Sequence, residues 1–233
     1  MSGDGATCLT TRCFCELVRP DGLDQPANAW SSLAFVVAAV AVIPLSRSAA
    51  RREQVLIRLL AAALVAVGAG SFLFHATLGE LGQLADVWSM AALATVVLGG
   101  ALARGGVLRP RAAILAGLAL LAALVRVLWT WPGTRRYAFA AILLPGILLE
   151  IRRGRMPLSP SQPIRWLWAG LGLLSAAYGI WVLDQTGVLC SPTSLLQGHA
   201  IWHVLGAAAA WCLARHWLAT GGPTGRINDC DGR

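Results

Sequence analysis

Three histidines, in two distant stretches of a mostly apolar chain, are the side chains best suited to bind a metal. His199 and His203 are four residues apart, so on a helix they share one face. His75 lies far earlier in the chain. Three imidazoles that leave one position open are a ligand pattern of catalytic zinc, which lowers the pKa of its bound water to about 7 and polarises a carbonyl group. The alternative is a buried histidine–carboxylate hydrogen-bond network without a metal.

Two further polar residues accompany His75 along the chain. Ser71 precedes it by one helical turn and shares its face. Asp86 follows a tight turn that we expect Gly79 and Gly82 to bracket, and it would begin the next helix. Ionisable residues inside a membrane span are candidates for a functional site because their burial is costly. We therefore predict that Asp86 is a general base and that Ser71 holds the water or the developing oxyanion. The alternative is that His75 is a buried core residue and Asp86 a helix-start residue.

The composition is that of a membrane protein. The chain has 233 residues, of which 57% are hydrophobic and 13% are charged, and its mean hydropathy is +0.64. Soluble domains carry roughly 25% charged residues. The net charge of +8 does not indicate nucleic-acid binding, because the basic residues are spread in short clusters between apolar runs. All 19 are arginine, which favours a bacterial source and therefore the inner membrane.

The apolar runs predict an all-α integral membrane protein, a seven-transmembrane helix bundle. An N-terminal cap covers residues 1–26, the helical domain residues 27–219, and a polar tail residues 220–233. The spans are predicted at about 27–45, 55–78, 82–103, 111–131, 137–151, 164–184 and 195–219.

The arginines predict the orientation of the bundle. Most of them fall in the loops on one side, and cytoplasmic loops carry the arginine excess, so the N-terminus is predicted outside and the C-terminus in the cytoplasm. With this topology the following residues lie at the outer side: Glu16, His75, Asp86, Asp184, His199 and His203. The fourth histidine, His216, falls near the inner end of the seventh span and is left out of the site.

The predicted topology also sorts the cysteines. Four fall on the outer side, where disulfides persist: Cys8, Cys13, Cys15 and Cys190. Cys212 lies within the seventh span and Cys230 in the inner tail. Either Cys190 is bonded to the cap, or the cap thiols pair with each other and leave Cys190 free.

Three motifs resemble those of the alkaline ceramidases, seven-helix membrane hydrolases of a superfamily that includes the adiponectin and progestin receptors. They are Gly-Ser-Phe-Leu-Phe-His at 70–75, Gln-Leu-Ala-Asp at 83–86, and His-Ala-Ile-Trp-His at 199–203. Cys15-Glu16, Asn28, Trp181-x-x-Asp184 and Cys190 also match. The likeness extends from about residue 13 to residue 205.

This resemblance implies a zinc amidase that cleaves the N-acyl bond of ceramide and gives a sphingoid base and a fatty acid. It implies zinc ligation by His75, His199 and His203, and catalytic roles for Ser71 and Asp86. It also favours Cys15 as the partner of Cys190, because Cys15 is the cysteine followed by glutamate.

The chain departs from the family's pattern at two places. The family's calcium site uses acidic and asparagine side chains near the N-terminal Cys-Glu and the first span. Glu16 matches it, but Cys13 replaces an aspartate, Val18 an asparagine and Gln25 a glutamate. The residues after Asp86 are Val-Trp-Ser instead of an acid and a proline, so the lipid is either ceramide or another N-acyl lipid.

Two other classes of function compete with the hydrolase. A lipid-sensing receptor on the same scaffold would use the zinc structurally, and it would favour a long soluble extension. An electron-transfer protein would need paired axial ligands across helices. The short cap and tail, and three histidines predicted at one level with a serine and an aspartate, favour the hydrolase.

Overall fold

The computed structural model describes residues 6, 8, 13–155 and 164–221, and these ranges contain seven α-helices. The helices are α1 (Pro26–Val42), α2 (Arg51–Thr77), α3 (Glu80–Arg104), α4 (Pro110–Thr130), α5 (Arg135–Arg155), α6 (Arg165–Gln185) and α7 (Gly198–Thr220). The all-helical prediction is confirmed for the described ranges. The predicted tail beyond residue 221, with Cys230, lies outside them.

Five helices are long and apolar enough to cross a membrane, namely α1, α2, α3, α4 and α6. The other two described helices carry more polar side chains. α7 contains three histidines and Arg215, and α5 has Glu150 and several arginines. A multi-pass membrane protein is therefore supported, while the count of seven spans and the positions of the termini stay predictions.

The connection between α2 and α3 is shorter than the sequence predicts. α2 ends at Thr77, the next residue, Leu78, has a left-handed φ of 41°, and α3 begins at Glu80. The expectation that Gly82 bounds the turn is wrong, because Gly82 lies inside α3. Asp86 is accordingly in the second turn of α3 rather than at its start.

α7 begins at Gly198, three residues later than predicted. The side-chain amide of Gln197 donates to the carbonyl of Ser191 at 3.0 Å. This bond holds the preceding segment as a loop. His199 and His203 therefore occupy the first two turns of the helix.

Close approaches at glycines bring the helices of the site together. A Cβ on Gly70 of α2 would lie 2.8 Å from the carbonyl oxygen of Ala85 in α3, and one on Gly82 would lie 2.9 Å from the Cα of Phe74. Small residues allow membrane helices to pack this closely. Because Ser71 follows Gly70 and Asp86 follows Ala85, the contact sets the catalytic candidates of α2 and α3 side by side.

α1 packs between α2 and α7, while α3 packs against α2, α4 and α5. An apolar core fills the space between α1, α2 and α7, and it includes Phe35, Ile57, Leu60, Leu64 and Trp217. From α7 this core takes Ala207, Ala210, Ala214 and Trp217, which follow the two histidines along the helix, so it holds the middle and last turns of α7 against α1 and α2.

A buried polar cluster joins four helices at the end of the bundle far from His75. The carboxylate of Glu150 accepts from the indole of Trp217 at 2.9 Å and lies 3.4 Å from Arg104 and 3.3 Å from His216. Arg104 also lies 3.8 Å from Glu53. His216 therefore has a partner of its own here, and it is not in the histidine group described below.

Candidate metal centre

Three histidines from α2 and α7 converge in the interior. The possible ligand atoms of His75, His199 and His203 all lie within 4.8 Å of one another, and the three residues are buried. The Nε2 atoms of His75 and His199 are 3.1 Å apart. Within the described ranges this is the group of His, Cys, Asp and Glu side chains suited to hold a metal ion.

Gln25, just before α1, fixes the orientation and tautomer of His75. The Nε2 of Gln25 donates to the carbonyl of Glu16 at 3.1 Å, so its Oε1 must be the atom that lies 2.9 Å from His75 Nδ1. The imidazole therefore donates its Nδ1–H to Gln25 and keeps the Nε2 lone pair for a metal. Such a second partner commonly orients a metal-binding histidine.

Two serines of α1 do the same for His203. Ser31 donates to the carbonyl of Asn28 at 2.9 Å, which leaves its Oγ to accept from His203 Nδ1 at 2.8 Å. Ser32 also donates to that carbonyl, and it lies 3.5 Å from the same ring nitrogen. Sequence reasoning missed both serines. Adjacent hydroxyls three and four residues after Asn28, within an apolar span, were the available signal.

The donor set fits zinc. Two of the three imidazoles have an Nδ1 held by a neighbour, so both present an Nε2 lone pair to the same space. Nδ1 of His199 is buried and has no hydrogen-bond partner among the described residues. Three neutral imidazoles with a further position open are ligands that zinc accepts in catalytic sites.

Ser71 and Asp86 border the histidines. The hydroxyl of Ser71 lies 3.2 Å from His203 Nε2, and its side chain hydrogen-bonds to Asp86. Ser71 is buried and Asp86 is half-buried. The structure thus brings together the five residues that the sequence analysis selected.

Phe14 of the N-terminal cap covers the centre. Its ring centroid lies 3.8 Å from that of His199 and 4.9 Å from that of His75. Covering of this kind excludes bulk water from the imidazoles, which strengthens electrostatic interactions there.

The cap is anchored to the loop before α7. A disulfide joins Cys15 to Cys190, and a second disulfide joins Cys8 to Cys13. Cys190 is thus bonded to the cap through Cys15, and the alternative in which the cap thiols pair and leave Cys190 free differs from the structure, although two cap cysteines do pair with each other. Asp184 accepts from the amide of Cys15 at 3.2 Å, and Pro192 accepts from the amide of Leu17 at 2.9 Å.

The comparison with protein families gives a match over most of the chain. The family described as Ceramidase matches residues 25–220. The chain belongs to the ceramidase family. The comparison with curated proteins finds no match.

The matched range includes Ser71, His75, Asp86, His199 and His203. Membership in the ceramidase family supports a hydrolase that acts on ceramide-type lipids, and the apolar helices agree with a lipid substrate.

In this ceramidase-family member Glu16 contacts backbone rather than other acidic side chains. Its carboxylate oxygens accept the amides of Ala27 and Asn28 at 2.7 and 2.9 Å. These amides belong to the first turn of α1, where a helix favours negative charge. Glu16 thus stabilises the start of α1, and it does not belong to a group of three possible ligands among the described residues.

Proposed function

We propose that this protein is a zinc-dependent intramembrane amidase. It hydrolyses the N-acyl bond of ceramide or a ceramide-like lipid to a sphingoid base and a fatty acid. The observation that carries the proposal is the convergence of three buried imidazoles beside Ser71 and Asp86, in a chain that matches the ceramidase family over residues 25–220. His75, His199 and His203 would hold the zinc.

The residues around the proposed metal site have separate roles in hydrolysis. When bound, zinc lowers the pKa of water and polarises the amide carbonyl. Asp86 accepts a proton from the attacking water, whose oxygen adds to the carbonyl carbon. Ser71 donates a hydrogen bond from its hydroxyl group to the oxygen that gains negative charge. The C–N bond breaks as Asp86 returns the proton to the leaving nitrogen, which gives an amine and a carboxylic acid.

Support for the orientation comes from charge and from cysteine chemistry. The excess of arginine on one side of the predicted spans favours a cytoplasmic C-terminus. Disulfides persist outside the cytoplasm, and the cap that carries them lies over the histidines. We therefore propose seven spans in a bacterial inner membrane, with the active site facing the outer side.

Electron transfer through haem is disfavoured by the spacing of the rings. Bis-histidine haem ligation needs a macrocycle between two imidazoles. The ring centroids of His75 and His199 are 4.8 Å apart, and those of His199 and His203 are 4.5 Å apart. These distances leave no room for a macrocycle between the rings.

Mass-spectrometric product analysis tests the proposal. Purified protein in detergent is incubated with ceramides and with other N-acyl lipids, first as prepared, then after zinc chelation, and then after zinc is restored. We expect equal amounts of amine and fatty acid, loss of both after chelation, and recovery with zinc. If zinc-loaded protein releases no product from any N-acyl lipid, the receptor-like alternative is favoured.

A further inference from the structure

We propose that the N-terminal cap of this protein works without calcium. Two disulfides, the Glu16 carboxylate and the neutral Gln25 amide hold the cap to the metal centre in place of an ion. This inference goes beyond the amidase activity, since it concerns what binds and stabilises the cap and not which lipid is cleaved.

Two positions that supply oxygen ligands in the resembled calcium site have none to give. The sulfur of Cys13 is bonded to Cys8. Val18 has an apolar side chain, and the residue is 46% exposed. Calcium takes six to eight oxygen ligands, so both changes remove donors that the ion requires.

The remaining acid, Glu16, already has partners for its charge. Each of its carboxylate oxygens accepts one backbone amide, from Ala27 at 2.7 Å and from Asn28 at 2.9 Å. Both amides lie at the positive end of the α1 dipole, which stabilises a carboxylate. A calcium ion at this carboxylate would compete with two short, charge-assisted hydrogen bonds.

Gln25 links the cap to His75 in a way that a carboxylate cannot. Its amide nitrogen donates to the Glu16 carbonyl at 3.1 Å, and its amide oxygen accepts from His75 Nδ1 at 2.9 Å. A glutamate at this position would turn an oxygen toward the Glu16 carbonyl, and a cation would be needed between these two acceptors. The amide needs none, because it both donates and accepts.

Covalent bonds replace the ion as the fastening of the same segment. Cys8–Cys13 and Cys15–Cys190 flank Phe14, which lies over His199. The chain from the disulfides through Glu16 and Gln25 to His75 is therefore continuous without a metal.

Calcium binding by the full-length, zinc-loaded protein is the first test. Equilibrium dialysis with radiolabelled calcium, in buffer freed of calcium by a chelating resin, measures the bound ion. Tryptophan fluorescence measures Tm with added calcium or magnesium. We expect no stoichiometric calcium and the same Tm in both salts. About one bound calcium per chain, or a Tm raised by calcium and not by magnesium, would overturn the proposal.

Gln25→Ala with Gln54→Ala as its control is the second test. Gln54 lies in the first turn of α2, at the end of that helix far from His75, and its side-chain amide donates hydrogen bonds to backbone carbonyls. Competition with a chromophoric chelator should show a loss of zinc affinity of about 10- to 100-fold for Gln25→Ala, as for other second partners of metal ligands. Gln54→Ala should match the wild type. Wild-type zinc affinity in Gln25→Ala would show that Gln25 does not link the cap to His75.

The Cys8→Ser/Cys13→Ser double variant tests the covalent fastening, with Cys212→Ser as the control because Cys212 is a buried free thiol. We expect the double variant to have a lower Tm than the wild type and Cys212→Ser to have the same Tm as the wild type. A double variant with the Tm of the wild type would contradict the role given to this disulfide. None of these readouts uses hydrolysis. A failure of the proposed amidase function therefore stays distinguishable from a failure here, and the calcium measurement needs no variant to fold.

Discussion

The Nε2 atoms of His75 and His199 lie 3.1 Å apart, although the two residues are 124 positions apart in the chain. Gln25 takes the Nδ1–H of His75, so the Nε2 of that ring carries a lone pair. Two ring nitrogens at this distance repel each other unless a proton or a cation lies between them. With His203 beside them, the arrangement favours a shared metal ion over a simple hydrogen-bonded network.

We predict about one zinc per chain in the wild type and loss of most of it in His199→Ala, because the variant removes one of three ligands. Elemental analysis of purified protein checks this. His216→Ala is the matched control, since His216 pairs with Glu150 at the far end of the bundle, and it should keep its zinc. Equal zinc in the wild type and in His199→Ala, or none in the wild type, contradicts the assignment.

Asp86→Asn should keep the zinc and lose hydrolysis by about 100-fold or more, the worth of a general base. The amide has nearly the shape of the carboxylate, but it cannot take a proton from water. The measurement is kcat together with zinc content on the same preparation. Full activity in a folded, zinc-loaded Asp86→Asn protein would remove Asp86 from the mechanism.

Ser71→Ala should cost less than Asp86→Asn, roughly tenfold in rate, since it removes one neutral hydrogen bond to the reacting oxygen, worth about 1.4 kcal/mol. Ser89→Ala provides the comparison, because the hydroxyl of this buried serine donates to the carbonyl of Asp86 inside α3. Steady-state rates of both variants decide the matter. Wild-type rates in Ser71→Ala would show that Ser71 only packs against its neighbours.

Sequence patterns predict those parts of the site that depend on periodicity. The four-residue spacing of His199 and His203 sets them on one face of a helix. The polar residues within apolar runs indicate which positions of the spans are candidates for a functional site. The partners of the rings were not predictable in this way. Gln25 and Ser31 reach His75 and His203 only through the packing of α1, and a single sequence has no period that reports such a contact.

The connection between α2 and α3 differs from the predicted one for a local reason. Glycines usually mark a tight turn, so Gly79 and Gly82 pointed to one. In the structure Leu78 takes the left-handed conformation instead, and Gly82 serves the contact with Phe74. The need for a close approach between helices outweighed the usual preference of glycine for turns.

Gly70→Ala tests that close approach on the α2 side. A Cβ there would lie 2.8 Å from the Ala85 carbonyl oxygen and 3.1 Å from the Asp86 amide nitrogen, both of them backbone atoms. The helices must separate, which we expect to cost about 1–3 kcal/mol and to move Ser71 away from Asp86. The Tm of thermal unfolding and kcat should both be lower than in the wild type.

Gly99→Ala is the matched control for this change. Its Cβ would meet the nearest atom, the Ala113 carbonyl oxygen, at 3.8 Å, an ordinary contact. Alanine also favours the helix by about 0.5–1 kcal/mol over glycine. A Gly70→Ala variant as stable and as active as Gly99→Ala would mean that the contact of α2 with α3 does not position the site.

The last prediction concerns the bond between Cys15 and Cys190, which ties the cap to the loop before α7. The two residues are 175 positions apart, so the closed loop is long. In the chain-entropy model such a loop contributes about 5 kcal/mol to the free energy of unfolding, less any strain. Cys190→Ser should therefore lower Tm much more than Cys212→Ser, and it should also reduce zinc retention, because Phe14 and Gln25 would lose the anchor that holds them over His75 and His199.

Non-reducing peptide mapping checks the pairing directly, and its design follows from the sequence. Arg12 separates Cys8 from Cys13, but trypsin leaves Cys13 and Cys15 on one peptide. Cleavage after Phe14 by chymotrypsin is also needed, because it parts these two cysteines. We expect one linked pair with Cys8 and Cys13 and another with Cys15 and Cys190. A Cys8–Cys15 peptide, or an alkylated Cys190 from protein that was never reduced, would show that the cap is not bonded to the loop in this way.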